Sequence, residues 1–78
     1  MTLKIISSTD VIFKGEVTSV TLPGTMGAFT VLRNHASLVS TLAKGTVRYT
    51  TSAGEEKSLD IPGGLADVDN NVVSACIY

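Results

Sequence analysis

Charge is scarce in this chain, and so are the residues that most often carry chemistry. Only 17% of its 78 residues are charged, six basic against seven acidic. They form no run of one sign, so the footprint that nucleic acid or an anionic lipid surface would need is missing. Tryptophan is absent, and the two Phe and two Tyr leave few rings to spare from a core for the aromatic platform of a sugar site. The single cysteine, Cys76, excludes an intramolecular disulfide; in VVSACIY it reads as a small hydrophobe of a strand in a protein from a reducing compartment. One histidine, His35, and one distant cysteine cannot supply the four ligands of a zinc site. The N-terminus carries neither a basic region followed by an apolar run with a cleavage site nor an Arg-rich amphipathic stretch. The longest uncharged segment, Val17 to Leu32, is too short and too rich in Thr, Pro and Gly to cross a bilayer. A soluble chain is expected.

What is present is enough apolar material, 44%, to build one small core and exclude a disordered segment. It comes in short β-branched runs punctuated by Gly, Pro, Asn and Asp, with almost no helical period, which indicates an all-β sandwich or barrel in one domain, residues 1 to 78. The runs are LKIIS (Leu3 to Ser7), VIFKGEV (Val11 to Val17, bending at Gly15) and VTSVTL (Val17 to Leu22, stopped at Pro23-Gly24). GAFTVL (Gly27 to Leu32), SLVSTL (Ser37 to Leu42) and GTVRYTTS (Gly45 to Ser52) follow. EKSLDI (Glu56 to Ile61), GLADVD (Gly64 to Asp69) and VVSACIY (Val72 to Tyr78) complete the series. Alternation puts Val20 and Leu22, Phe29 and Val31, Val47 and Tyr49, and Leu59 and Ile61 on inward faces. Turns are expected at Ala53-Gly54-Glu55 and at Asp69-Asn70-Asn71, whose Asn residues tolerate positive φ. SLVSTL also fits a short helix, but its interleaved Ser and Thr favour a strand.

No single motif carries chemistry. His35, with many hydroxyls and several acids, offers the raw parts of a hydrolase, but Gly-x-Ser-x-Gly is absent and the flanking Asn34 and Ala36 imply a loop histidine bonded locally. Asp67 to Asn71 begins like a calcium loop yet lacks the later Gly and bidentate Glu. Gly24-Thr25-Met26-Gly27 shares only letters with a nucleic-acid-binding Gly-x-x-Gly loop, and Lys44-Gly45-Thr46 lacks the glycines of a phosphate loop. Each is a turn. From the residues alone the reading is a non-catalytic β-sandwich that works by binding, with a sugar- or peptide-binding module and a small hydrolase as the competing classes.

The order of these stations resembles a known family. Ser7 with Phe13-Lys14-Gly15-Glu16-Val17, then Leu22-Pro23-Gly24, Gly27 to Leu32, Asn34-His35-Ala36 with Leu38, Leu42 with Gly45, and Gly63-Gly64-Leu65-Ala66-Asp67-Val68 with Asn71-Val72-Val73 is similar to the N-terminal domain of the ε subunit of the F-type rotary ATP synthase, called δ in mitochondria. Ser37 stands where a proline is common after the His-Ala pair, and Arg33 precedes Asn34. The resemblance implies a flattened antiparallel β-sandwich of about ten short strands. Many members continue into a C-terminal helical hairpin; this chain stops at Tyr78, and the expectation is no such helical domain, no helix inserted into the catalytic head and no ATP binding by this chain alone. The implied role is that of a non-catalytic rotor subunit without a cofactor. Its partners would be the γ subunit, through Ser7, His35 and Ser40, and the membrane c-ring, through Ala28 with Met26, Gly27 and Arg33. The implied location is peripheral, at the cytoplasmic face of a bacterial plasma membrane rather than an organelle inner membrane.

Overall fold

The computed structural model describes residues 1 to 78. It contains eight strands and no helix: β1 Thr2–Ile6, β2 Val11–Gly24, β3 Gly27–Leu32, β4 Leu38–Leu42, β5 Gly45–Thr51, β6 Glu56–Ile61, β7 Gly64–Asp69 and β8 Val72–Ile77. Thr, Val and Ile alternating with polar residues fit a pleated, half-buried surface, and β3, β6 and β7 have the bounds that pattern predicts.

The nine runs become eight strands, against the about ten that the resemblance implies, because Val11 to Val17 and Val17 to Leu22 are one continuous strand. Gly15 does not break it. The ring of Phe13 lies over Gly15, 3.0 Å from where a Cβ would stand, and the missing side chain makes room for the ring rather than for a turn. The bend falls two residues later, where the β2–β5 register slips between Val17 and Ser19, as a β-bulge does.

This long strand links two layers. The first half of β2 pairs with β1, and its second half pairs with β3 and β5. One layer is therefore β2(first half)-β1-β8-β7-β4; the other is β3-β2(second half)-β5-β6, with β4 touching the end of β2 through Gly24 and Leu42. The sheet is not wholly antiparallel as expected, since β1 and β8 run parallel over five residue pairs. A parallel pair needs a long crossover, and here almost the entire chain provides it.

The core is the apolar filling between the layers. Leu3, Ile5, Ala66, Val68, Val73 and Ala75 meet Val20, Leu22, Val31, Val47 and Ile61, all buried, and no polar or charged side chain is buried with them. Phe13 reaches across to Tyr49 with ring centroids 4.6 Å apart and planes tilted by 41°, an aromatic contact that ties the two halves together. Asn70 and Asn71 both take positive φ, 49° and 59°, the signature of a two-residue hairpin turn that twists with its strands.

Candidate functional site

His35 stands in the loop from β3 to β4, and that loop is strapped to the β7–β8 turn. Asn34 adopts φ 63°. Its backbone N–H donates to Asn71 Oδ1 at 2.6 Å, while Asn71 Nδ2 donates back to Asn34 Oδ1 at 3.1 Å. Two residues beyond His35, the Ser37 hydroxyl donates to Asp69 Oδ1 at 2.7 Å. The rigidity that a proline after His35-Ala36 would give is thus replaced by cross-loop hydrogen bonds. His35 itself is exposed, and its Nδ1 lies 2.7 Å from Ala36 O. A carbonyl only accepts, so Nδ1 carries the proton and Nε2 faces outward. No carboxylate orients the ring and no hydroxyl bonds to it, which is not the arrangement of a hydrolytic relay.

Arg33 leans instead toward the start of the chain, in a recess it shares with Met1, Glu16, Val17, Thr18 and Ser52. The Thr2 hydroxyl above all, helped by the terminal ammonium and Arg33, holds the Glu16 carboxyl below its ordinary value against the opposing effect of desolvation. The four residues assigned to the ring do not share one place. Met26 is in the β2–β3 turn and Gly27 and Ala28 open β3, whereas Arg33 lies just past the other end of that six-residue strand, about 20 Å away.

That turn is a stiff projection. Gly27 has φ 126°, the Thr25 N–H donates to Thr41 O at 3.0 Å, and the two hydroxyls of Thr25 and Thr41 share a hydrogen bond of 2.6 Å. Met26 at its tip is 99% exposed. Ser7 closes the turn after β1, its N–H donating to Asp10 O at 2.8 Å. Ser40 is half-buried in mid-β4, opposite the buried Ala66, with its hydroxyl returned to Thr41 O at 3.1 Å. Ser7 and His35 lie toward opposite ends of the first layer, with Ser40 between them along β4.

Between Ser7 and the His35 loop, on the face of β4 opposite to Ser40, lies a surface that sequence reasoning missed. Across the outer face of the first layer, register aligns Val11, Ile6, Cys76, Leu65 and Thr41 in one row. The next row is Lys14, Lys4, Ser74, Asp67 and Val39. Val11, Val39 and Leu65 are exposed at 64%, 68% and 44%. Cys76, expected as a small hydrophobe of a strand, is in β8 and exposed on this face. The signal was present, since Val39 in SLVSTL and Leu65 in GLADVD stand in the polar phase of their strands. The other layer's outer face is a lattice of Ser19, Thr21, Thr30, Thr50 and Ser58 hydroxyls around Arg48 and Glu56, with Leu32, 57% exposed, at its β3 edge. There the Thr21 and Thr30 hydroxyls bond at 2.8 Å.

Of the aromatic residues, Tyr49 is buried, Phe13 and Phe29 pack on the core, and Tyr78 alone is exposed. That leaves no sugar-stacking platform. No three His, Cys, Asp or Glu side chains converge as metal ligands.

Residues 1–76 match the family described as ATP synthase, Delta/Epsilon chain, beta-sandwich domain. An ATP synthase epsilon chain of Chlorobium limicola is 41% identical over 69 residues, covering 88% of this chain and 78% of that one. Another from Campylobacter jejuni subsp. doylei is 40% identical over 73 residues, covering 94% of this chain but 57% of that relative. Among solved structures, a chain in the Euglena gracilis mitochondrial ATP synthase (OSCP/F1/c-ring) superposes with a TM-score of 0.88 at 28% identity, covering 96% of this chain and 48% of that chain. A chain of the Tetrahymena thermophila mitochondrial ATP synthase central stalk/c-ring has a TM-score of 0.84 at 12% identity, with 100% and 63% covered, and speaks for the fold alone.

Proposed function

The chain belongs to the β-sandwich family of the ATP synthase delta/epsilon chain, and from that premise we propose that it is a non-catalytic rotor subunit of the central stalk, clamped on γ and seated on the c-ring. The observation that carries this reading is the contrast between the two outer faces. The first layer exposes an apolar row, Val11, Ile6, Cys76, Leu65 and Thr41, at its Ser7 end, with Val39 leading toward the His35 loop at the other end; the second carries mainly hydroxyls, with Leu32 exposed at its β3 edge. An apolar band rimmed by Lys4, Lys14 and Asp67 has the composition of a face that a protein partner covers, whereas hydroxyls satisfied by one another or by water gain little from burial. γ is the occupant proposed for the apolar face.

The ring contact is proposed for Met26, Gly27 and Ala28, a turn whose tip is fully exposed yet fastened to β4 by Thr25 and Thr41. Torque passes through such a contact only if it does not yield, and a hydrogen-bonded hairpin backed by a sandwich meets that demand. Arg33, about 20 Å away along β3, is better assigned to the Glu16 recess than to the ring. Peripheral attachment at the cytoplasmic face of a bacterial membrane is supported by the bacterial sources of the 41% and 40% identical relatives.

The test is co-purification with the γ subunit of the same organism. The wild-type chain and the hydroxyl-face variant Thr21→Ala should form a stable complex, and Leu65→Glu should not. Failure of the wild-type chain to bind γ would overturn the reading. For the ring contact, Met26→Asp in membrane vesicles should lower ATP-driven ion pumping while γ stays bound; unchanged pumping would remove the turn from the coupling path.

A further inference from the structure

Exposed loops of a binding protein are usually mobile, yet the loop carrying His35 is strapped to a turn far from it in sequence. The strap has two parts. Asn34 and Asn71 exchange two hydrogen bonds, 2.6 and 3.1 Å, and Ser37 bonds to Asp69 at 2.7 Å. They bracket His35 on both sides, and Asn71 is anchored in turn by accepting the Thr2 N–H at its carbonyl, 2.9 Å. Inside the bracket the ring is held by its own Nδ1–H to Ala36 O bond, 2.7 Å, with Nε2 facing out. We propose that Asn71 and Asp69, on the β7–β8 turn, are positioning residues for partner docking: they act through Asn34 and Ser37 to hold the His35 imidazole in one tautomer and one direction.

The physical basis is preorganisation. A loop already ordered before docking does not lose its conformational freedom at that moment, so the contact made by Nε2 is not offset by the cost of ordering the loop. The carboxamide suits this task because it accepts from the Asn34 backbone and donates to the Asn34 side chain through two separate atoms of one planar group. This inference rests on the proposed γ contact of His35.

The experiment measures binding of the full chain to γ by calorimetry, with the His35 ring followed by ¹⁵N NMR. Asn71→Gly keeps the positive φ of 59° accessible and removes only the carboxamide. It should weaken γ binding about three- to tenfold and shift the ring nitrogens from one tautomer toward an average of two. Asn71→Asp retains the acceptor for the Asn34 N–H and should restore part of the loss. Combined with His35→Ala, Asn71→Gly should add nothing, because residues acting as one unit are not additive.

Weakened binding by His35→Ala beside wild-type binding by Asn71→Gly would overturn the strap and leave the γ contact standing. Unchanged binding by His35→Ala would overturn that contact, and the strap's role with it. Additive losses would show Asn71 acting independently of His35 and would also overturn the inference. If Asn71→Gly melts near the assay temperature, Ser37→Ala removes the other half of the bracket from an exposed position; wild-type affinity and an unaltered tautomer there would count against the inference.

Discussion

At the scale of single residues, what is unusual is polar and near the surface. Asn34 at φ 63° occupies a conformation that costs most side chains about 1 kcal/mol and costs Asn less. Asn34→Ala should therefore destabilise the fold by about 1–2 kcal/mol in urea unfolding, and Asn34→Gly by less than half of that. Equal losses would mean that the Asn34–Asn71 side-chain bond, not the backbone, is what matters. Glu16 provides a second check. The Thr2 hydroxyl, then the terminal ammonium and Arg33, lower its carboxyl from the ordinary 4.5. A carboxyl whose folded value is depressed stabilises above its unfolded value and ceases to do so as pH falls through the folded one. Thermal melts of wild type and Glu16→Gln should accordingly be separated at pH 7 and converge below about pH 4.5. A separation that widens on acidification would contradict the assignment. The Asn pair was half legible in sequence: an Asp-Asn-Asn turn was expected, but nothing in the letters connects residue 34 to residue 71.

At the scale of elements, alternation found the strands and failed at one place for a clear reason. Glycine in a strand can mark a break or a site of close approach, and only packing distinguishes the two. Gly15 is such a close approach, beneath Phe13, and Gly64 another. A Cβ on Gly64 would stand 2.2 Å from Cys76 O and 3.0 Å from Ile77 Cα, both backbone atoms of the paired strand β8. Gly64→Ala must push β7 from β8, and a loss of about 3 kcal/mol is expected in chemical denaturation. For a chain of 78 residues, whose whole stability is on the order of 4–12 kcal/mol, that is a severe lesion. A loss below about 0.5 kcal/mol would show that the two strands can separate without penalty.

For the whole molecule, the question is which faces are free. A substitution on the apolar row should separate binding from folding. Leu65→Glu replaces an outward residue, 44% exposed, so stability should change by less than about 1 kcal/mol. A charge beside Cys76 and Ile6 on a covered face would, in contrast, lower affinity for γ at least about tenfold. A melting temperature that falls together with the affinity would locate the effect in the fold. The same view accounts for the low charge of the chain. On the proposed reading, a small sandwich with one face covered by γ has fewer positions where charge is useful.

Sequence by itself determined the all-β class, the inward residues of most strands, the polar turns and the family, because each rests on local pattern: a period of two, turn chemistry at fixed places, and the order of short motifs. Tertiary structure alone decided the union of two expected strands into β2, the parallel pairing of β1 with β8, and the alignment of Val11, Ile6, Cys76 and Leu65 in one row. Those depend on strand order and register, which are set by how apolar faces from distant parts of the chain pack against each other. No local pattern encodes that.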